Sequence, residues 1–493
     1  MRKTRLVLST LLVGGALLAA ASLPAAALPA PPIPPLPTDP LTGGFTGAPA
    51  AKQPLPHEKV PQNPYMSANG TNSMHDDAYG SNGYEVSGPL GRNLQVRSAS
   101  YGVSECATIA FDSRHRIVGL CGGLQGFTMR LIDPTTLEQI ASLDMPGRDL
   151  TSGKNPLSDI CGGTYFYLDR ANHAYVLTTD NQLWQVDVGT GTLTHTRSYD
   201  LSSTIPDGDC VVATMPDWKG RIFFATEGGG IGTVDRTTGA VKFRTFPGEG
   251  IFNSLSADET GTVYAVTDHR LLALAADKGG YPTLRWSATY DRGTQQKPGQ
   301  LSQGSGTTPT LIGKDIVAIT DNAEPRMNVL VYKRDGNPGN RLLCKTPVFA
   351  AGASDTENSL VSAGRSLIVE NNYGYQGPQS TVGGKTTSPG VAKVVIDQRG
   401  CHVAWTSNVS APTSVPKASW GNGLLYVYSK KASTPLDDSW YLTALDLRTG
   451  RTRWLQRTGN GIQWNNHYAS IYLGPDGAAY MPTLSGLVRF KDG

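Results

Sequence analysis

The polar residues at the ends of predicted strands are the part of this sequence best suited to binding a cation. In VAITDNAEPRMNV, residues 317–329, a β-branched strand runs directly into Asp321, Asn322 and Glu324. Carboxylate and amide oxygens are hard ligands of the kind that Ca²⁺ takes, six to eight at a time. We therefore predict a calcium site formed by residues that end or open strands: Asp321, Asn322, Glu357, Asn358, Glu370, Asn371 and Asn372.

A structural role for the same residues is the alternative. Asp and Asn also favour strand ends because their side chains hydrogen-bond to the turn backbone. Several carboxylates crowded together would repel one another unless a cation, a proton or a basic residue balanced them. Lys417, Lys430 and Arg326 could supply that balance without a metal.

Two histidines lie where proton transfer could occur. His269 follows Asp268 at a strand end, and His467 opens the last repeat after two asparagines. Histidine can act as a general base near neutral pH, so we predict His467, His269 and Asp321 as catalytic residues. A hydrogen-bonded wall residue is the alternative for each histidine. We expect the other histidines to lie in solvent: His57, His75, His115, His173, His195 and His402.

Aromatic and polar side chains near the same strand ends could hold a substrate. Tyr373 and Tyr375 stand in the stretch ENNYGYQGP, and such rings either stack on sugars or pack between neighbouring sheets. A carbohydrate or another oxygenated small molecule is the expected ligand. The predicted substrate-binding residues are Tyr373, Tyr375, Asn466, Lys417 and Lys430.

A repeat would bring these residues together. The 57 glycines, and short β-branched runs separated by turn signals such as GTG, TTG and GPDG, indicate an all-β fold. A first strand recurs about every 50 residues and is followed by a turn and a second strand, which is typical of propeller blades. We predict an eight-bladed β-propeller, with seven blades as the competing count. The units begin at Cys106, Cys161, Cys210, Asn253, Thr307, Asn358, Pro416 and His467.

The polarity of a propeller blade predicts where the site lies. The first strand is nearest the axis and the second runs antiparallel to it, so first-strand starts and second-strand ends share one mouth of the channel. The unit that opens at His467 has only three strands. Because a closed ring leaves no exposed edge, we predict that a segment near residues 94–100 supplies the fourth.

Six cysteines in a chain with an export signal indicate disulfides. One pair lies on consecutive strands, one opens adjacent units, and one sits in the outer parts of neighbouring units. The predicted bonds are Cys106–Cys121, Cys161–Cys210 and Cys344–Cys401. The alternative joins Cys106 to Cys161 and Cys121 to Cys210.

The stretch ALDLRTGRTRW, residues 444–454, resembles the A-x-D-x-x-T-G-x-x-x-W docking motif of the quinoprotein alcohol dehydrogenase-like propellers, and DVGTGTLTH and DRTTGAVKF are partial copies. The resemblance implies a propeller in which Trp454 packs between neighbouring blades. Members that use pyrroloquinoline quinone place adjacent cysteines against the cofactor. This chain has no Cys-Cys pair and lacks their haem motif, which argues against a bound quinone.

The first residues have the pattern of a secretory signal peptide. Arg2, Lys3 and Arg5 precede an apolar run over 6–21, and residues 25–27 offer small side chains for cleavage. We therefore predict a signal peptide over 1–27, with an uncleaved anchor as the alternative. A Pro-rich linker over 28–60 and one propeller domain over 61–493 would follow. No later run is long and apolar enough to span a bilayer, so we expect a secreted or cell-envelope protein.

The formal charge of +3 equals the three basic residues of the predicted signal peptide, and no basic run follows. Nucleic acid is therefore not an expected partner, and we expect a monomer. The predicted function is a secreted enzyme acting on a carbohydrate or other oxygenated small molecule at one channel mouth, with a divalent cation as Lewis acid. A non-catalytic ligand- or protein-binding propeller of the cell envelope is the alternative.

Overall fold

Eight sheets, antiparallel except for one short parallel pair, form the part of the chain that the computed structural model describes, residues 33–37, 43–151, 153–336 and 341–493. The sheets are the blades of a propeller, so the predicted count of eight is confirmed. Short 3-10 turns at Pro378–Thr381 and Ile462–Trp464 interrupt the strands. Across those ranges, no helix has the length and apolar character needed to cross a membrane.

The first four sheets follow the chain. The first contains β4 (Ser104–Phe111), β5 (Ile117–Gly123), β6 (Gly126–Ile132) and β7 (Gln139–Gly147). The second contains β8 (Phe166–Leu168), β9 (His173–Leu177), β10 (Gln182–Val188) and β11 (Leu193–Asp200). The third contains β12 (Val211–Pro216), β13 (Ile222–Thr226), β14 (Gly230–Val234) and β15 (Val241–Thr245). The fourth contains β16 (Ser256–Ala257), β17 (Val263–Val266), β18 (Arg270–Ala276) and β19 (Pro282–Thr289).

The remaining sheets repeat this order. The fifth contains β20 (Thr310–Ile312), β21 (Ile316–Thr320), β22 (Asn328–Lys333) and β23 (Leu342–Pro347). The sixth contains β24 (Val361–Ser362), β25 (Ser366–Glu370), β26 (Val391–Asp397) and β27 (Gly400–Ser407). The seventh contains β28 (Lys417–Ser419), β29 (Leu424–Lys430), β30 (Ser439–Asp446) and β31 (Thr452–Asn460). The eighth contains β32 (Tyr472–Leu473), β33 (Ala479–Thr483) and β34 (Gly486–Lys491).

Three strands from the N-terminal part of the chain join the last two sheets. β3 (Gln95–Ser100) pairs antiparallel with β34 and is the fourth strand of the eighth sheet. β1 (Phe45–Gly47), which lies inside the predicted linker, pairs with β31 on the outside of the seventh sheet. β2 (Gly83–Tyr84) runs parallel to β28 on the inside of that sheet.

Aspartates form many of the tight turns. In the docking motif, Oδ1 of Asp446 accepts hydrogen bonds from the backbone N–H groups of Arg448 and Thr449. Gly450 then adopts a φ of 70°, a left-handed conformation that costs glycine little. Trp454 is fully buried behind this turn. Short polar side chains at strand ends therefore have a structural use here.

The three predicted disulfides are confirmed. Cys106 and Cys121 join β4 to β5, with Cα atoms 3.7 Å apart. The Cys161–Cys210 bond connects the residues that precede the second and third sheets. The third bond links Cys344 on β23 to Cys401 on β27, across two neighbouring sheets.

Residues 63–84, which we call the plug, close one end of the central channel. Carbonyl groups of the plug accept backbone hydrogen bonds from the first strands of six sheets, at Phe111, Leu168, Ala257, Leu311, Ser362 and Ala418. The Asn63 side chain donates to the carbonyl of Pro216 on β12 at 2.9 Å. The plug is therefore bonded to seven of the eight sheets. These contacts lie at or near the C-terminal ends of the first strands.

A buried lysine holds the plug against the seventh sheet. Nζ of Lys417 lies 3.1 Å from Oδ2 of Asp76 and 2.7 Å from Oδ1 of Asn82, and it also donates to the carbonyl of Met74. Burial raises the pKa of Asp76 to about 7, although the neighbouring Lys417 opposes this shift. Lys417, predicted to bind substrate, thus contacts the plug.

Replacing Lys417 by Ala should destabilise the fold. Asp76, Asn82 and the Met74 carbonyl would lose a shared donor in a site without solvent, and breaking a buried pair in this way costs about 3–5 kcal/mol. Urea unfolding measures the loss, with Lys242→Ala on the exposed face of β15 as the matched control. A Lys417→Ala protein as stable as this control would show that the lysine does not anchor the plug.

Candidate functional site

A cavity of about 130 Å³ lies inside the ring, at the end of the channel opposite the plug contacts. A cavity of similar size can hold one benzene molecule, so a ligand about as large as an aromatic ring would fit. Met74 and His75 of the plug form the floor. The polar residues of the wall are Glu105, Asp159, Thr164, Tyr165, Asn253, Glu357, Asn358, Ser359, His467 and Tyr468.

The wall residues lie where the blade polarity predicts them. Glu105 stands at the start of β4, and Glu357, Asn358 and His467 precede the first strands of their sheets. The cross-strand partner of Glu105 is Gly122 on β5. A side chain at that position would meet the ring of Phe127, another residue of the cavity wall, at 3.1 Å.

Among the residues that the structure describes, no cationic side chain pairs with Glu105 or Glu357 of the wall. Oε1 of Glu105 accepts a hydrogen bond from the N–H of His467 at 2.9 Å, and Oε2 of Glu357 accepts one from the N–H of Leu301 at 3.0 Å. Oε1 of Glu357 has no hydrogen-bond partner. Burial raises the pKa of each carboxyl to about 8, and the backbone N–H groups offset only part of that shift. Burial therefore favours the protonated form of both groups at neutral pH.

His467 has both ring nitrogens engaged. Nε2 lies 2.7 Å from the carbonyl of Leu157, to which it must donate, and Nδ1 lies 2.9 Å from the Tyr375 hydroxyl, which also donates to Oδ1 of Asn465. Burial lowers the pKa of His467 to about 4. The ring is thus a neutral wall residue in this arrangement, and its predicted role as a base stays a prediction.

His75 was expected to lie in solvent, and that expectation is wrong. The ring is buried because it belongs to the plug, where Nδ1 lies 3.0 Å from Asn82 Oδ1 and Nε2 lies 3.2 Å from Thr308 Oγ1. Burial, followed by the charge of Lys417, lowers the pKa of His75 to about 3. The floor of the cavity is therefore uncharged.

Arg148 is the one Lys or Arg side chain among the described residues that line the cavity. Its guanidinium donates to the carbonyls of Pro156 and Asp159, lies 3.9 Å from the Asp159 carboxylate, and stacks over the ring of Phe127. These contacts leave Glu105 and Glu357 without a neutralising partner.

Part of the predicted metal set is brought together beside the cavity. Asn358 and Asn372 both donate to Oε1 of Glu370, at 2.7 and 3.1 Å, and Asn372 Oδ1 accepts from the N–H of Glu357. Oδ1 of Asn358 and Oε2 of Glu370 have no partner. Asp355, which the sequence did not single out, has neither carboxylate oxygen hydrogen-bonded, and burial raises its pKa to about 8.

The other predicted metal residues make turn contacts. Oδ1 of Asp321 accepts from the N–H groups of Ala323 and Asn328, and Oδ2 lies 3.4 Å from Lys345. Asn322 donates to two carbonyls of the loop at 292–295, and Asn371 donates to two carbonyls at 353 and 389. Among the described residues, the one group of three His, Cys, Asp or Glu ligands within 4.8 Å is Cys161, Cys210 and Glu227, whose cysteines form a disulfide.

The remaining predicted residues lie outside the cavity lining. His269 contacts Asp268 at 2.9 Å, and Lys430 contacts Asp438 at 3.0 Å. The backbone N–H of Tyr373 donates to Oδ1 of Asn371, and Asn466 donates to the carbonyl of Pro482. Tyr375 stands behind the wall, where its hydroxyl supports His467.

Comparison with known proteins shows the fold. No family model matches the sequence. An uncharacterised protein of Archaeoglobus fulgidus is 26% identical over 390 residues, which is 71% of this chain and 75% of the archaeal protein. BamB of Moraxella catarrhalis matches at a TM-score of 0.45 and 12% identity, over 78% of this chain and 90% of its own. Quinohaemoprotein alcohol dehydrogenase of Comamonas testosteroni matches at a TM-score of 0.54 and 13% identity, over 87% and 81%. The eight sheets of this chain therefore form a propeller fold similar to that of the quinohaemoprotein alcohol dehydrogenase.

Proposed function

We propose that this protein is an exported propeller enzyme that binds a small oxygenated molecule in the plugged channel and transfers protons through Glu105 and Glu357. The observation that carries the proposal is a ring-sized cavity containing two buried carboxyl groups with raised pKa values. A carboxylic acid that keeps its proton at neutral pH can donate it to a ligand oxygen. Three disulfides support export, because such bonds persist in oxidising compartments.

The chemistry would use the open side of each acid. Glu357 would donate through Oε1, which has no partner, to a hydroxyl or carbonyl oxygen of the ligand. Glu105 would act from another part of the wall, while Asn358 and Asn253 orient the ligand by hydrogen bonds. The plug excludes bulk water from the floor, and a low dielectric strengthens each of these interactions.

The lining does not suit pyrroloquinoline quinone. That cofactor carries three carboxylates, which need cationic partners, whereas the cavity presents Glu105 and Glu357 and an arginine already bonded to Asp159. We therefore assign no step to a quinone.

A non-catalytic binding propeller would use the same cavity without turnover.

A thermal-shift screen of small polar compounds tests the proposal. We expect some compounds to raise the melting temperature of the wild-type protein and to lose that effect in the Glu105→Gln, Glu357→Gln double variant. Glu138→Gln, in an exposed turn of the first sheet, is the matched control. The site assignment fails if no compound stabilises the wild type, or if all proteins respond equally.

The raised carboxyl pKa values predict a pH dependence of stability. The pKa of Glu357 is about 8 in the folded protein and about 4.3 in an unfolded chain, so the folded state binds more protons between these values. Stability should then fall as pH rises from about 5 to 8, by up to about 1.4 kcal/mol per pH unit for each such group. Glu357→Gln should show a shallower fall in urea unfolding. A slope equal to that of wild type would contradict the raised pKa.

A divalent cation beside the cavity is the second candidate. The unpartnered oxygens of Asn358 and Glu370 favour it, because buried hard oxygens without donors suit Ca²⁺. Asp355 and Glu357 carry further unpartnered oxygens, but across the described residues these two carboxyls and that of Glu370 do not all lie within 4.8 Å of one another. A bound ion would polarise a ligand oxygen next to the same acids.

Removing calcium tests this second candidate. If the ion binds, excess Ca²⁺ at about 100 times its Kd should stabilise the chelator-treated protein by about 2.7 kcal/mol, and Glu370→Gln should abolish the response. Asp321→Asn, which changes a turn contact, should keep it. The calcium site would be refuted if the purified protein contained no calcium above background and if chelator left its melting temperature unchanged.

A further inference from the structure

We propose that the oxygenated ligand of the plugged cavity also carries a protonated amine joined to an apolar or aromatic group. The inference rests on the proposed function and names the class of its ligand. It depends on three features of the wall: acids without a cationic partner, aromatic rings, and an aliphatic rim.

Glu105 and Glu357 account for the expected preference for a positively charged ligand. Glu357 is 7% exposed and Glu105 is 8% exposed, and each carboxyl accepts a single backbone N–H bond. Oε1 of Glu357 accepts none. A buried carboxyl with an open oxygen is costly until a donor reaches it. An ammonium group brings three N–H donors and a positive charge. It would therefore donate a hydrogen bond to the open oxygen and balance the charge of the ionised carboxylate.

A bare metal ion fits the cavity acids less well. Ca²⁺ takes six to eight oxygens, whereas, in the ranges that the structure describes, Glu105 and Glu357 belong to no group of three acidic, histidine or cysteine ligands within 4.8 Å. An ammonium needs only one or two acceptors. It can therefore bind at either carboxyl without a cage.

Aromatic rings complete the recognition of a cation. Tyr165, Tyr468 and Phe252 line the same cavity, and ring faces attract ammonium groups. Burial raises the pKa of both tyrosines above the ordinary value, so their rings stay neutral. The rim is aliphatic: Val103, Leu124 and Leu157 are 38%, 52% and 37% exposed. An apolar substituent on the amine would cover these side chains.

Binding of an amine would release a proton. Glu105 keeps its proton in the free protein near neutral pH because burial raises its pKa to about 8, and an ammonium stabilises the ionised carboxylate. The affinity should therefore increase with pH toward about 8. Among the other groups of the wall, the rings of His75, His467, Tyr165 and Tyr468 stay neutral in this range. Arg148 is paired with Asp159.

The test compares two probes of nearly equal shape, benzylammonium chloride and benzyl alcohol. Isothermal titration calorimetry of the wild-type protein near pH 6 and pH 8, in two buffers of different ionisation enthalpy, gives the affinity and the number of protons released. We expect benzylammonium to bind about tenfold more tightly than the alcohol near pH 8, to weaken about tenfold or more near pH 6, and to release a proton.

Variants assign the effect to the wall. The Glu105→Gln, Glu357→Gln pair should lose about tenfold in benzylammonium affinity and release no proton, while Glu138→Gln should behave as wild type. Tyr468→Leu keeps both acids and should weaken the ammonium more than the alcohol. The proton release is measured on the wild type, so the test holds even if a variant fails to fold.

The outcomes separate this inference from the proposed function. If benzyl alcohol binds as tightly as benzylammonium and loses affinity in the double variant, the cavity is a ligand site and the amine inference is wrong. If benzylammonium binds without pH dependence or proton release, the inference is also wrong. If neither probe binds, both the inference and the proposed function are contradicted.

Discussion

The plug is the constraint on which the rest of the structure depends. A ring of eight sheets leaves an axial channel, and the segment 63–84 crosses that channel and bonds to the first strands of seven sheets. The cost of burying Lys417 is offset by Asp76, Asn82 and the Met74 carbonyl. Because the plug supplies a floor, the channel becomes a pocket with one open end.

That pocket determines the chemistry of its acids. Glu105 and Glu357 have raised pKa values because they are buried, and no cation stands close enough to reverse the effect. An open channel would hydrate both groups and return them to ordinary carboxylates. The raised pKa values and the preference for a ligand that donates hydrogen bonds therefore both follow from the closure of the channel by the plug.

The repeat and the cysteines could be predicted from sequence because their signals are local. Strand spacing gave the eight blades, and the positions of Cys344 and Cys401 in neighbouring units gave their bond. Blade polarity also placed Glu357, Asn358 and His467 at the cavity. Blade polarity could not distinguish these residues from Asp321. The local pleat and turn geometry determine whether a side chain at a strand end faces the channel or hydrogen-bonds to the turn backbone.

The plug could not be predicted in the same way. Its sequence has no strand pattern, and its partners are backbone groups far along the chain, such as Ala418 for Asn82. For that reason His75 was expected in solvent, and Glu105 was not predicted as a site residue. Burial of a side chain depends on contacts between distant segments, and a single sequence carries no direct signal for them.

The protonation state of the two cavity acids tests the central claim most directly. Infrared spectroscopy of the wild-type protein near pH 7 should show the carbonyl band of protonated carboxylic acid, and this band should shrink in Glu105→Gln and Glu357→Gln and disappear as the pH passes about 8. A wild-type spectrum near pH 7 that contains only ionised carboxylate, or a band unchanged in both variants, would contradict the account.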